Sequence, residues 1–271
     1  MSPSTSNNSN SIPSSKGFGF IPDIPDFRDQ YYQVSPDLIE TGVPPVVDLR
    51  QTPELQQSPV LDQGQLGSCT ANAIAGALTY TMLKQKQPLF SPSRLFIYYN
   101  ERAMEGSIQS DAGAMLRDGI KSVNRQGVCK EQPTWPYNIY KFATKPPGTA
   151  YNEAGLHQAL QYRRLNNTDI NQLKACLASG FPFVFGFTVY QSFMTAQVGR
   201  TGMMPMPQPH EAVMGGHAVL AIGYDDTHQV FIVRNSWGDH WGDKGYFYMP
   251  YSYITNQDLA VDFWTITMVE Q

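Results

Sequence analysis

The chain has 271 residues, 41% of them apolar, and its 19 basic and 23 acidic side chains leave a net charge of −4. That length allows one large domain or two lobes around a sizeable core. The sparse, scattered Lys and Arg argue against a nucleic-acid surface; no apolar run approaches the roughly 20 residues of a membrane span, and 22 glycines, 20 prolines and 12% aromatics argue against a plain helical bundle.

Residues 1–16, MSPSTSNNSNSIPSSK, read as a disordered polar tail without the apolar core of a secretion signal. With no targeting segment, the default location is intracellular. Residues 17–45 mix aromatics with Pro and Asp, which suggests an extended segment docked on something. Residues 46–271 form the main domain. A helix is predicted over 69–87, where Ala71, Ile74, Ala75, Leu78 and Met82 make one buried stripe. A second is predicted over 112–125 through Leu116, Ile120 and Val123. A third covers 168–180, with Thr168 as N-cap, a stripe of Ile170, Leu173 and Leu177, and Gly180 as its end.

The chain then turns β-branched and aromatic. Strands are expected over 181–190, 216–226, 229–238, 245–251 and 263–269, with Asp225, Asp226 and Thr227 turning between two of them. A helix-rich front half (about 60–165) and a strand-rich back half (about 166–271) predict an α+β protein of two lobes with a cleft between them.

Cys69, Cys129 and Cys176 are too few, and odd in number, for a disulfide framework, which fits a reducing compartment. No Cys-x-x-Cys pair occurs and the five histidines are scattered, so neither a metal nor another cofactor is expected. Cys69 sits where the breaker-rich QGQLGS gives way to a helix, whose first turn stabilises a thiolate and a developing oxyanion. The plainer reading is a small buried side chain. A nucleophilic Cys needs a base, and His217 opens a strand after two glycines. His157 lies in a polar stretch, His228 in a turn, His210 in a Met/Pro-rich loop, and His240 lacks a comparable setting. Asn235, followed by Trp237, can accept from an imidazole N–H that the indole shields from water.

Gln63, Gly67-Ser68-Cys69, Gly216-His217-Ala218 and Asn235-Ser236-Trp237-Gly238 together resemble the papain family of cysteine proteases. Their order is that family's order, and His217 follows Cys69 within its spacing of roughly 130–150 residues. GVCKEQPTWPY and NSWGDHWGDKGYFYM extend the resemblance across about residues 44–269. It implies the papain-like two-lobed fold, a helical lobe against an antiparallel β-barrel-like lobe. It also implies a cysteine-type endopeptidase working through a thioester acyl-enzyme. Cys69 would be the nucleophile, His217 the base and then the acid, Asn235 the imidazole's orienter and Gln63 the oxyanion donor.

Two departures stand out. Leu66 replaces a cysteine that normally bridges to the region of Asp111-Ala112-Gly113, and Thr70 replaces a Trp. The resemblance makes Asp111, Ala112 and Gly113 one wall of the substrate cleft, with Gly216 and Trp237 beside the His. The methionines of 201–216 would line the other wall, and the floor of the main pocket would come from about 260–263. Without a long His-bearing insertion between 100 and 135, endopeptidase is favoured over exopeptidase. Residues 17–45 stand where the family carries a longer helical propeptide, and read as a short pro-segment or a strap over the cleft. The expected partner is a peptide or protein substrate, bound by a monomer. The rival readings are a catalytically silent papain-fold binding protein, a transglutaminase-like acyl transferase, which would orient its His with Asp, and a structural protein without chemistry.

Overall fold

The structure, a computed structural model, describes residues 17–52 and 58–270; the polar tail expected over residues 1–16 lies outside them. The chain opens with an extended segment holding β1 (Phe20–Ile21), α1 (Pro36–Thr41) and β2 (Val46–Asp48). Three helices follow, α2 (Cys69–Lys84), α3 (Arg94–Glu105) and α4 (Leu116–Gln126), with a two-residue strand β3 (Ala114–Met115) before the last. Then come α5 (Gly148–Ala154), β4 (Ala159–Arg164), α6 (Ile170–Ala178), β5 (Phe183–Tyr190), α7 (Ala196–Thr201), β6 (Val213–Asp225), β7 (Val230–Arg234), β8 (Tyr246–Pro250), α8 (Tyr251–Ile254) and β9 (Ala260–Val269).

Seven strands make one antiparallel sheet in the order β4-β9-β5-β6-β7-β8, with β2 added along β6. The strand-rich lobe is thus an open sheet rather than a closed barrel: β4 and β8 lie at opposite ends of that order. Alternate side chains of the central strands serve two cores, as the period of two requires. Val184, Ala218, Leu220, Ile222, Trp264 and Ile266 join the helices in one core. Phe183, Phe185, Phe187, Val219, Phe231 and Phe263 form the other, which is rich in aromatic contacts.

Helix α2 packs on β6 and β9. It departs from the predicted single stripe, because every residue from Cys69 to Met82 is buried. Its small side chains permit that: a Cβ on Gly76 would already press on Leu220. Thr79 and Thr81 satisfy their hydroxyls on the carbonyls of Ala75 and Ala77, one turn back. Helix α6 is capped by Asp169 rather than the expected Thr168; its carboxylate accepts from the N–H groups of Asn171 and Gln172. Gly180 turns the chain away with φ +77°. The predicted turn forms between β6 and β7, with Asp225 accepting from Thr227 N.

Candidate active site

Cys69 is the first residue of α2, and His217 lies on β6, against which α2 packs. Both are fully buried. The backbone N–H groups of Ala218, the residue after His217, and of Gly19 lie near the Cys69 sulfur and favour its charged form. The His217 Nε2 is 2.8 Å from Asn235 Oδ1, and Ser236 N donates to that same oxygen at 2.8 Å. An amide oxygen already accepting from a backbone N–H must accept from the ring too, so Nε2 carries the imidazole proton and Nδ1 keeps its lone pair. Nδ1 is buried and has no hydrogen-bond partner. The Trp237 ring stacks on His217, with centroids 4.9 Å apart and planes at 27°. It encloses the imidazole instead of opening onto the cleft.

The Gln63 side chain is held at one end by Ser236 Oγ, which donates to Oε1 at 2.6 Å. Its Nε2 then faces two carbonyls, Leu66 O at 2.9 Å and Gly17 O at 2.8 Å. Gly17 O is a peptide carbonyl that the N-terminal segment brings to this amide.

A network that the sequence did not reveal secures the turn from 63 to 68. Tyr137 OH donates to Gln63 O and lies 2.6 Å from Ser68 Oγ. Arg94 donates to Asp62 O and Asn72 Oδ1 while paired with Glu131. Asp111, expected on the substrate wall, accepts from Gly67 N at 3.0 Å and from Tyr98 OH at 2.5 Å. It ties the loop before Cys69 to α3. The other expected wall residues divide. Gly113 and Gly216 are close enough to the N-terminal segment that a Cβ on either would overlap Gly19 or Phe20, while Ala112 is exposed. Of the methionines in 201–216, Met204 is in the aromatic core, whereas Met203 and Met214 are exposed.

Residues 17–21 run straight through this site. Gly19 O accepts from Ala114 N at 2.8 Å, and β1 pairs in parallel with β3. A Cβ on Gly19 would overlap the Gly67 carbonyl, so only glycine fits between the two walls. Phe18 packs edge-on against His217 and Trp237. The Phe20 ring lies directly on Gly186, in the space a side chain at 186 would need. This enclosure governs the electrostatics. Burial pushes the Cys69 thiol up to about 12, beyond what its backbone N–H donors recover. Burial also takes His217 down to about 4. Both groups are therefore neutral near pH 7 while residues 17–21 are in place.

The remaining four histidines do not join this arrangement: His157 packs on the Phe90 ring, His228 bonds Asp225 in a turn, and His210 and His240 are exposed. Cys129 and Cys176 are buried thiols, each pushed up to about 12 by that burial. Among the described residues no group of His, Cys, Asp or Glu could hold a metal ion, and no helix is long and apolar enough to cross a membrane.

Comparison with known proteins gives a consistent result. Residues 43–261 match the family model described as papain family cysteine protease. An uncharacterized peptidase C1-like protein of Acanthamoeba polyphaga mimivirus is 45% identical, over 94% of this chain and 88% of its own length. Pro-cathepsin H of Bos taurus is 27% identical over 75% of this chain and 59% of its own length. Among solved structures, xylellain, a cysteine protease from Xylella fastidiosa, superposes with a TM-score of 0.86 at 46% identity, over 94% of this chain and 97% of that one.

Proposed function

Because the chain belongs to the papain family of cysteine proteases and is a cysteine peptidase, we propose that it is an endopeptidase in which Cys69 and His217 form and hydrolyse a thioester, and that residues 17–45 are a strap holding it latent. His217 Nδ1 takes the Cys69 proton, and the sulfur attacks the scissile carbonyl. The oxygen gains negative charge where Gln63 Nε2 now donates to Gly17 O, with the first N–H groups of α2 beside it. The imidazolium then gives its proton to the departing amine, leaving the acyl group on sulfur. In the second half His217 takes a proton from water, the hydroxide attacks the thioester, and the thiol is restored. Asn235 keeps the ring in the tautomer both halves need.

The observation that carries this reading is the pair of bonds Ser236–Gln63 and Ser236–Asn235, which aim an amide donor and an imidazole at one spot beside Cys69. Extended chain occupies the cleft on both sides of Cys69, from Gly17 to Ile21, which supports cleavage within chains rather than at their ends. The same occupation supports latency, since it fills the reacting position and neutralises the dyad. A fluorogenic peptide library tests both parts. The full chain should cleave slowly and Cys69→Ala not at all. Gly19→Val, whose side chain cannot fit against Gly67, should raise kcat/KM at least about tenfold. Cleavage surviving Cys69→Ala would overturn the nucleophile; equal rates for the full chain and Gly19→Val would overturn the strap.

A further inference from the structure

Beyond the cleft, the strap carries an acidic residue into a site built by the rest of the protein. The Asp23 side chain is fully enclosed. One oxygen accepts from the Trp264 indole N–H at 2.9 Å, the other from the Arg117 backbone N–H at 3.0 Å, and the Arg164 guanidinium lies 3.7 Å away. The Asp23 backbone N–H in turn donates to Asp262 Oδ2 at 2.6 Å. Asp29 closes the group from outside, 2.5 Å from Arg117 and 3.1 Å from Arg164. The receiving groups come from three places: the first turn of α4, the end of β4, and β9, where Asp262 is held at φ +60°.

Charge distinguishes this from an ordinary surface cluster. The strap brings two carboxylates, Asp23 and Asp29. The body supplies two guanidiniums and a single carboxylate, Asp262, which pairs with Arg164 at 2.8 Å. If the strap leaves, that pair survives, but Arg117 loses both Asp29 and the Ile24 carbonyl to which it donates. Its side chain is only 5% exposed, over the Trp264 ring. Part of that enclosure is the strap itself; once it leaves, Arg117 lines the emptied site beside a helix N-terminus and an unused indole N–H, donors whose carboxylates left with the strap, which suits another anion. The site also reads a backbone, through Asp262, and therefore suits an acidic residue within a peptide better than a free anion.

Resting on the strap reading, we propose that Arg117, Arg164, Trp264 and Asp262 form a carboxylate-binding subsite of the enzyme itself. It would select peptide substrates with an acidic residue a few positions from the one lying at Cys69. The strap occupies this subsite with Asp23 as it occupies the catalytic position with Gly17 to Gly19, so the acidic residue lies four to six positions away. The groove between them is continuous, since β1 runs along β3 directly into α4.

The test uses the full-length chain carrying Gly19→Val, Asp23→Ala and Asp29→Ala, which evict the strap from both places. Quenched fluorescent peptides would carry a single Asp, or Asn in its stead, at each position three to six residues to either side of the cleaved bond. One position should show kcat/KM about tenfold higher for Asp, the ordinary yield of a charged hydrogen-bonded contact, and adding Arg117→Gln should abolish that preference. Equal rates for Asp and Asn at every position would overturn the subsite. A second measurement is independent of catalysis: binding of a fluorescein-labelled peptide of residues 17–32 to the same variant, with Asp23 or Asn at its seventh position. Tighter binding of the Asp peptide supports the subsite; equal affinities overturn it. If the variant cleaves nothing, the protease or strap reading fails instead, and the binding result still decides the subsite.

Discussion

Asn235 works through a single oxygen. It accepts from His217 Nε2 and from Ser236 N, so its amide cannot turn without losing a bond, and the imidazole cannot turn without losing its only partner. Trp237 lies over the ring and keeps water from competing. Replacing Asn235 by Ala should therefore leave the site folded but free the ring. We expect kcat to fall about 10- to 100-fold, the usual penalty for removing an orienting partner. KM should hold, since Asn235 is buried beneath the imidazole and does not face the cleft; steady-state kinetics in the Gly19→Val background would show the split. Cys69, His217, Asn235 and Gln63 were legible because short motifs in a fixed order carry them. Asp111 stands out in the sequence only through the family resemblance, and its partners are hidden there. Gly67 N and Tyr98 OH lie far from it along the chain, and only the packing of α3 beside the turn brings the three together.

Among the elements, legibility followed how each one is buried. The central strands β5, β6 and β9 are covered on both faces, so near-continuous apolar and aromatic runs gave them away. Strand β4, ALQYRR, lies at the end of the sheet with most of its side chains partly or fully exposed, and its sequence carries no such run. Helix α3 went unread for the opposite reason. Its apolar residues Leu95 to Tyr99 run together, a short apolar stretch that a buried strand shares, and polar residues flank it although all from Arg94 to Arg102 are buried. Arg102 survives burial there by donating to the carbonyls of Tyr98, Ile108, Ser110 and Phe142. Helix α2 was found by its stripe but proved buried all round. That difference has a measurable consequence. Leu78 sits near its centre, fully buried in the core that the helices share with one face of the sheet. Leu78→Ala should cost about 2–5 kcal/mol, the large-to-small penalty of a tightly packed core, read as a lower urea midpoint at unchanged m-value.

For the molecule as a whole, strap and body form one proton-linked equilibrium, and three of its groups bear most directly on docking at the cleft and the Asp23 site. Docking buries His217, whose imidazole then takes a proton only near 4 instead of 6.5. Between those values the undocked form binds more protons, so this group weakens docking as pH falls. Asp23 acts in the opposite sense. Burial first, and the neighbouring Asp262 charge second, raise its carboxyl from 3.8 to about 6, against the pull of Arg117. Between those values the docked form binds more protons, so this group strengthens docking as pH falls. Cys69 acts in the alkaline direction, because the undocked thiol at the head of α2 ionises at a lower pH than the docked one, which burial holds up to about 12. Docking should thus weaken at alkaline pH and change little between about 4 and 6, where the His217 and Asp23 effects nearly cancel. The Ala114 amide, bonded to Gly19 O, reports docking directly through its hydrogen-exchange protection factor. In the full chain that factor should be nearly flat from pH 6 to 4. In Asp23→Asn the compensation is gone, and protection should fall by up to about tenfold per pH unit across the same range. Parallel profiles for the two proteins would mean that the buried carboxylate takes no part in holding the strap.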